Sequence, residues 1–258
     1  MRLYRRLLSL PKHIDRMARR EEVILGLFEF ISQKTEGFTD PRLVTIGGYA
    51  LRAYVPFPRY TRDCDFVLNK EKDWRIDEMK IWLSKKISIE TLQKKDGYGY
   101  MRLVDFVQFG SDKVKISIDF MEGEVRGRTK EQVVLVDKRF VRESQRMKIS
   151  IAGKGVEIFV PEYKDYLILK VISGRAGDAR DIAALVWKNG WPKHIKKRAK
   201  EILPHPEIFD KNLEGIVIPD ISDRRFVNSW RGTFVSTEFT EESKNNVLSK
   251  IWDALDVM

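Results

Sequence analysis

The spacing of apolar residues predicts a chain that mixes helices and strands up to residue 160 and is mainly helical afterwards. Apolar positions recur at helical spacing in some segments and alternate with polar positions in others. The predicted helices cover residues 14–34, 48–55, 76–86, 162–174, 178–189, 193–203 and 241–255. The predicted strands cover residues 43–46, 63–68, 100–109, 114–120, 147–152 and 155–160. The pattern of residues 207–237 is too weak to assign.

The change in pattern suggests a division of the chain at Pro161, which follows the last predicted strand. We expect an α+β fold, with a mixed sheet flanked by helices and then a mainly helical C-terminal part. The predicted regions are a basic N-terminal helical extension (1–40), a core that contains the sheet (41–160) and a helical C-terminal region (161–258).

Composition narrows the class of protein. Of the 258 residues, 43% are hydrophobic and 33% are charged, which suits a packed core with a highly charged surface. The single cysteine, Cys64, excludes an intrachain disulfide framework and a cysteine-cluster metal site within one chain. No apolar run approaches the length of about 18 residues that a membrane span needs, and no signal-peptide core is present. We therefore expect a cytoplasmic protein that does not enter a membrane.

The net charge favours a polyanionic partner. Lysine and arginine number 48 against 38 acidic residues, which gives a formal charge of +10. Basic surfaces gain affinity for nucleic acids by displacing counterions from phosphates. Positive charge is concentrated in residues 1–20 and 191–200. A solvated helix face would give the same pattern, so both interpretations stay open.

A pair of glycines lies between a predicted strand and a predicted helix. Gly47 and Gly48 follow the strand 43–46 directly. Glycines at such a turn let the backbone approach a ligand, and the N-terminus of the following helix offers free N–H groups to phosphate oxygens. Most Gly-Gly turns are only tight connections, and no Gly-Lys-Ser/Thr follows here, so this is not a Walker A loop.

Acidic residues on two predicted strands form the clearest candidate site. Asp63 and Asp65 share one face of a strand because side chains alternate, and Asp119 lies on the polar face of another strand. If the strands are neighbours, the three carboxylates converge and repel one another by about 4 kcal/mol per pair at about 4 Å and an effective dielectric constant of about 20. A divalent cation removes this repulsion, and oxygen ligands select Mg²⁺ or Mn²⁺.

Simpler interpretations of these acids also remain. Asp63 and Asp65 could be acids at a strand edge that form ion pairs with Arg59 and Arg62. The third position is open as well, because other acids lie close to Asp119 in the sequence. These alternatives are Asp105, Glu122 and Glu124.

Two sequence blocks resemble a known family. The first contains Gly47-Gly48, a helix with Ala50-Leu51, and then Arg59-x-Thr61-x-Asp63-x-Asp65-Phe66. The second runs from Val160 to Val171 with an embedded Lys170 and is followed by Arg180-Asp181. Together they resemble the DNA polymerase β-like nucleotidyltransferases, in particular the AbiEii-type toxin branch, over roughly residues 40–190. One departure is that Tyr49 follows the glycines and no serine follows the first glycine.

The resemblance implies a role for each matched residue and identifies residues 41–160 as a nucleotidyltransferase catalytic core. The implied catalytic residues are Asp63, Asp65, Asp119, Lys170 and Asp181. The implied nucleotide-binding residues are Gly47, Gly48, Arg59, Thr61 and Lys170. The implied ligands of Mg²⁺ or Mn²⁺ are Asp63, Asp65 and Asp119.

Lys170 has a physical interpretation of its own. It interrupts a continuous apolar run, and burying an unpaired ammonium group is costly, so its side chain either extends to solvent or meets an anion. The resemblance favours contact with the nucleotide phosphates, with Asp181 positioning the lysine.

We therefore expect a metal-dependent nucleotidyltransferase that moves a nucleoside monophosphate from a nucleoside triphosphate to an acceptor hydroxyl. The resemblance implies an RNA acceptor such as tRNA, and a toxin of a toxin–antitoxin pair with an antitoxin protein as partner. The alternatives are transfer to a protein or a small molecule, and a non-catalytic module that binds nucleotides or RNA.

Overall fold

The computed structural model describes residues 12–57, 59–61 and 63–256. The first eleven residues of the predicted basic extension lie outside this part of the chain, and so does Arg62, one of the two arginines considered as ion-pair partners of the acids.

Helices and strands are mixed up to residue 160, and helices alone follow. The strands are β1 (Val44–Ile46), β2 (Asp63–Leu68), β3 (Ser88–Lys95), β4 (Tyr98–Phe109), β5 (Asp112–Glu122), β6 (Glu124–Arg126), β7 (Val133–Leu135), β8 (Gln145–Ile151) and β9 (Lys154–Val160). The first helices are α1 (Lys12–Lys34), α2 (Gly47–Tyr54), α3 (Arg75–Leu83) and α4 (Lys138–Arg142). The later helices are α5 (Tyr163–Ser173), α6 (Ala176–Asn189), α7 (Ile195–Ile202), α8 (Glu207–Asn212), α9 (Ile218–Ser222), α10 (Phe226–Phe234) and α11 (Glu241–Asp256).

Seven strands form one mixed sheet in the order β3-β4-β5-β2-β1-β9-β8. The pairs β2–β5 and β1–β9 are parallel, and the other neighbours are antiparallel. Strands β6 and β7 form a separate hairpin. The predicted fold class, a mixed sheet flanked by helices and followed by a mainly helical part, is confirmed.

All predicted helices and strands are present, with ends that differ by a few residues. The prediction missed β3, the hairpin of β6 and β7, and α4. Strand β3 is a mostly exposed edge strand, so it carries little apolar alternation. The unassigned stretch 207–237 holds three short helices and a π-helical turn at Leu213–Val217, which interrupts the helical period. The division into three regions stays a prediction.

Aromatic packing fixes which face of the sheet carries the acids. Phe66 of β2 stacks on Phe120 of β5, with ring centroids 5.3 Å apart, and contacts Phe28 of α1 at 5.2 Å. Helix α1 therefore covers this apolar face. Because side chains alternate along a strand, Asp63 and Asp65 of β2 point to the opposite face.

Helix α5 is held against the glycine turn on that opposite side. Tyr166 of α5 is fully buried, and its hydroxyl donates a hydrogen bond to the carbonyl of Gly47 at 2.7 Å. Its ring stacks on Tyr54 at the end of α2, with centroids 5.4 Å apart. These contacts set the position of Lys170, one helical turn further along α5.

The second basic segment, residues 191–200, is partly structural. Arg198 of α7 is buried and binds both carboxylate oxygens of Asp165 at 2.8 Å. It also contacts Asp137 at 3.2 Å. Arg198 therefore ties α7 to α5 and to the start of α4. In the described part of the chain, no helix combines the length and apolar character that crossing a bilayer requires.

Candidate active site

The glycine pair allows a very close approach between β2 and the start of α2. Gly47 has a φ of +67°, and a Cβ on it would lie 2.2 Å from Oδ2 of Asp65. A Cβ on Gly48 would lie 2.7 Å from the Cβ of Thr61. Larger residues would therefore push the segment that carries Thr61 and Asp65 away from the helix.

The N-terminus of α2 is available to an anion. Ile46 precedes the helix, no side chain caps it, and its first turn contains no acidic residue. The first N–H groups of a helix lack partners inside the helix and carry a partial positive charge. An uncapped N-terminus beside two glycines is therefore suited to phosphate oxygens.

Three acids come from two adjacent parallel strands. Asp65 is the register partner of Asp119, and Asp63 is the register partner of Ser117. The hydroxyl of Ser117 donates a hydrogen bond to Oδ1 of Asp63 at 2.5 Å. The condition set by the sequence analysis, that strands 63–68 and 114–120 are neighbours, is met, and their acids share one face of the sheet.

Asp65 has no hydrogen-bonding or ion-pair partner among the described residues. Its side chain is half-buried, and no hydrogen bond from another described residue reaches its carboxylate. Burial, together with the negative charges of Asp119 and Asp63, raises the pKa of Asp65 to about 7, against the opposing effect of Lys170 and Arg175. A carboxylate in this position favours a proton or a cation.

Asp119 is engaged by an arginine that the sequence did not single out. Arg102 of β4 donates from Nε to Oδ1 of Asp119 at 2.7 Å and from Nη2 to Oδ2 at 2.6 Å. Its hydrogen bond to Asp119 raises the pKa of Arg102 above its ordinary value. Both oxygens of a predicted metal ligand are thus bound by one guanidinium group.

The fit of these residues to a metal ion is incomplete. Carboxylate oxygens are the ligands that Mg²⁺ and Mn²⁺ prefer, and the exposed Asp63 and the unpartnered Asp65 are suitable. Within residues 12–57, 59–61 and 63–256, however, no three His, Cys, Asp or Glu side chains are grouped so that they could hold a metal ion. In addition, both carboxylate oxygens of Asp119 already accept hydrogen bonds from Arg102. A metal site at all three acids stays a prediction.

Lys170 meets anions inside the protein. It is 6% exposed, and its Nζ contacts Oδ1 of Asp178 at 3.0 Å and Oδ2 of Asp181 at 2.7 Å. Burial lowers the pKa of Lys170, but Asp181 and Asp178 outweigh burial, so the net shift is upward. The Lys170 side chain therefore contacts anions and does not extend to solvent. These anions are the protein's own carboxylates.

Arg59 completes this buried cluster. It binds Asp181 through Nε at 2.9 Å and through Nη2 at 2.9 Å, so it pairs with this acid and with neither of the two on β2. Two cations, Arg59 and Lys170, balance two carboxylates, Asp178 and Asp181. The cluster joins the loop after α2 to helices α5 and α6. Asp181 is fully buried and positions both cations.

A cavity of about 300 Å³ connects the glycine turn, the acids and helix α5. Its charged end is lined by Gly47, Asp65, Asp119, Lys170 and Arg175. Its other end lies against the hairpin of β6 and β7, and it is lined by Tyr98, Met121, Val125, Val134, Leu169 and Ile172, with Arg126 of the hairpin beside them. Charged groups next to aromatic and aliphatic side chains suit the phosphates and the base of a nucleotide.

A second depression of about 590 Å³ lies beside the acids. It is lined by Asp63, Arg102 and Ser117 together with four further basic residues. These basic residues are Arg16, Arg20, Lys113 and Lys115. We call this depression the basic groove. It brings part of the predicted basic N-terminal segment next to Asp63.

The other acids considered for the third position serve local structure. Glu122 is fully buried and accepts hydrogen bonds from the backbone N–H groups of Arg75 and Ile76 at 3.0 and 3.1 Å, so it caps α3. Glu124 pairs with Arg126. Asp105 accepts a hydrogen bond from the N–H of its exposed neighbour Phe106. Among the described acids, Asp119 is the one that is the register partner of Asp65 on the neighbouring strand.

Three residues of the site, Arg102, Asp178 and Tyr166, were not predicted from the sequence. Asp178 could have been found, because it lies three residues before Asp181 on the same helix face. Tyr166 lies four residues before Lys170, but nothing in the sequence shows that it reaches Gly47. Arg102 depends on the register of β4 against β5, which pairs it with Asp119 and which the sequence does not specify.

Comparison with known proteins gives weak matches to solved structures alone. No protein-family model matches the chain, and no curated protein matches it. A crystal structure from H. pylori, described provisionally as a nucleotidyltransferase, matches at 13% identity and a TM-score of 0.41, covering 94% of this chain and 95% of that one. JHP933 from Helicobacter pylori matches at 13% identity and a TM-score of 0.40, covering 95% and 93%. These values are too low to carry a functional argument.

Proposed function

We propose that this chain is a nucleotidyltransferase, which transfers a nucleoside monophosphate from a nucleoside triphosphate to an acceptor hydroxyl. One observation carries the proposal: the unpartnered carboxylate of Asp65 lies against Gly47 at the uncapped N-terminus of α2. Helix N–H groups bind phosphate oxygens, and a carboxylate with a raised pKa attracts a cation. A site that offers both side by side suits a nucleotide phosphate with its metal ion.

The cavity orients the nucleotide in this proposal. The phosphates bind at Gly47 and Gly48, and Thr61 supports the turn by packing against Gly48. Lys170 lines the charged end and adds positive potential there. The base occupies the apolar end near Tyr98. Asp181 and Arg59 act indirectly, by holding Lys170 and the loop after α2 in place.

We assign Mg²⁺ or Mn²⁺ to Asp63 and Asp65, and to Asp119 where that carboxylate exchanges Arg102 for the ion. A bound ion of this kind supplies charge neutralisation at the reacting phosphate. The acceptor oxygen forms a bond to the α-phosphorus. The bond between the α-phosphorus and the oxygen that bridges it to the β-phosphorus breaks, and pyrophosphate leaves. The protein's carboxylates take the hydroxyl proton.

RNA is the acceptor that the surface supports best. The basic groove places Arg16, Arg20, Lys113 and Lys115 next to Asp63, where an acceptor strand would have to lie. The resemblance to AbiEii-type toxins is the basis for extending the proposal to tRNA ends and to a toxin with a cognate antitoxin. Transfer to a protein or a small molecule would use the same cavity.

A second candidate function is a non-catalytic module that binds nucleotides or RNA. The contact between Arg102 and Asp119 favours it, because an arginine that permanently neutralised Asp119 would keep the acids from forming a metal site. The cavity and the basic groove would still bind a nucleotide and RNA.

The test is incorporation of label from each α-labelled nucleoside triphosphate, with Mg²⁺ or Mn²⁺ and with total RNA or cell protein as acceptor. Asp65→Asn is the matched control, because it removes the charge and keeps the shape. Label in RNA that disappears in the variant supports the proposal, and label in protein changes the acceptor class. Nucleotide binding without label in any fraction supports the binding module.

A further inference from the structure

We infer that Arg102 competes with a divalent cation for the carboxylate of Asp119, and that the displaced guanidinium binds a phosphate group of the substrate. This inference rests on the proposed function for its second part, the phosphate contact. Its first part concerns the competition between two cations for one carboxylate, and it can be measured without turnover.

The geometry of the pair makes the two cations mutually exclusive. Two parallel hydrogen bonds, at 2.7 and 2.6 Å, place the guanidinium directly in front of both oxygens of Asp119. A divalent cation bound to these oxygens would lie next to a fixed positive charge in a partly buried site. Coordination by Asp119 therefore requires Arg102 to move.

Arg102 is the partner that can move. The Arg102 side chain is 37% exposed, whereas the Asp119 side chain is 9% exposed. Both residues lie on strands that are paired on both sides, so the difference lies in the side chains and not in the backbone. The arginine side chain is long and partly exposed to solvent. Its Cζ atom lies 5.8 Å from the centre of the Tyr100 ring.

The surroundings give the displaced guanidinium a new ligand. Arg102 lines both the nucleotide-sized cavity and the basic groove, so it lies at the junction of the two. In the proposed reaction the triphosphate occupies the cavity and the acceptor strand occupies the groove. Phosphate groups on either side fall within reach of an arginine, which binds them in a bidentate manner as it binds a carboxylate.

Removal of Arg102 should therefore have opposite effects on two ligands. Arg102→Gln releases Asp119, so the affinity for a divalent cation rises. The same variant loses a phosphate contact, so the affinity for the triphosphate in the presence of the cation falls. A merely structural ion pair would not give this combination, because distortion of the site weakens both ligands together.

The experiment is calorimetric titration of the full chain with Mn²⁺, and then with a nonhydrolysable nucleoside triphosphate at saturating Mn²⁺. We expect Arg102→Gln to bind Mn²⁺ about tenfold more tightly and the triphosphate about tenfold more weakly than the unaltered protein. The control is Lys94→Gln on β3, away from the site, which removes one positive charge from an exposed ion pair with Asp77 of α3. It should change neither affinity.

If Arg102→Gln does not fold, the same titrations are made with Arg102→Lys. It keeps the charge but loses the bidentate contact, so we expect a smaller change of the same sign for Mn²⁺. Equal or weaker Mn²⁺ affinity in a folded variant overturns the inference, and so does the absence of Mn²⁺ binding in every protein. If the inference fails in this way but the unaltered protein still transfers label, the proposed function stands. If the Arg102 variant binds Mn²⁺ more tightly but the unaltered protein transfers no label to any acceptor, the competition stands and the proposed function is rejected.

Discussion

Gly47 and Asp65 lie so close together that a single methyl group on Gly47 would come within 2.2 Å of Oδ2 of Asp65. This relationship explains why the turn before α2 contains glycine at this position. The φ of +67° alone favours glycine, and the carboxylate leaves no room for a side chain. The contact joins the proposed phosphate-binding turn to the proposed metal ligand, so a change at Gly47 should affect both.

Gly47→Ala should abolish triphosphate binding, because Asp65 and the N-terminus of α2 are forced apart. A non-glycine residue in the left-handed region costs roughly 1–2 kcal/mol by itself. Gly110→Ala is the control, since Gly110 has a φ of +58° and no neighbouring atom within 4 Å of an added Cβ. Calorimetric titration and thermal unfolding of both variants check the prediction. Equal loss of nucleotide affinity in both variants would contradict it.

Tyr166→Phe should weaken nucleotide binding while the protein stays folded. The substitution removes the hydrogen bond to the part-buried carbonyl of Gly47, at a cost of about 0.5–1.5 kcal/mol. The turn then loses its link to α5, so we expect a higher KM for the triphosphate with a smaller change in kcat. Steady-state kinetics of label transfer measure this split.

Tyr163→Phe is the matched control for Tyr166→Phe. Tyr163 also lies on α5 and donates to a glycine carbonyl, that of Gly190 at 2.8 Å, far along the chain from the turn. It should lose a similar amount of stability with no change in KM. A raised KM in both variants would assign the effect to general loosening of α5.

Asp65→Asn should change how stability depends on pH. The folded-state pKa of Asp65 is raised to about 7 from an ordinary value of 3.8, so the folded protein binds the proton more tightly than the unfolded chain. Its contribution to stability is therefore present at low pH and is lost as the pH rises through about 7. Asparagine cannot ionise, so the variant should be more stable than the unaltered protein at pH 8, with a difference that shrinks towards pH 4. Unfolding temperatures across this range check the prediction, and parallel curves would refute it.

Lys170→Met should destabilise the protein strongly. It leaves Asp178 and Asp181 buried with one cation fewer, and breaking a buried ion pair from one side costs about 3–5 kcal/mol. Adding Asp181→Asn should recover part of this loss, because one uncompensated charge disappears. Lys94→Met, which breaks an exposed pair with Asp77, should cost less than about 1 kcal/mol. Denaturant unfolding of the unaltered protein, these three variants and Asp181→Asn alone measures these differences, and additive losses from the two single substitutions would contradict the assigned cluster.

The sequence was sufficient for features that depend on local pattern and insufficient for those that depend on register. Alternation in β2 and β5 was enough to place Asp65 and Asp119 on the polar face of each strand. The pairing of Arg102 with Asp119 depends on the register of β4 against β5, which the pattern within each strand does not specify. The sequence also could not show whether Lys170 contacts a ligand phosphate or a carboxylate of the protein, because either anion would compensate its buried positive charge.

The basic groove gives a prediction that separates RNA from other acceptors. Lys113→Gln and Lys115→Gln each remove one charge beside Asp63, so each should weaken RNA binding and reduce the slope of log affinity against log salt by roughly 1. The electrostatic contribution does not depend on base sequence, so the loss should be similar for unrelated RNAs. Lys94→Gln is the control for charge outside the groove, and fluorescence anisotropy at several salt concentrations is the measurement. If all three variants bind RNA equally, the groove does not hold the acceptor, and transfer to a protein or small molecule becomes the better account of the same cavity.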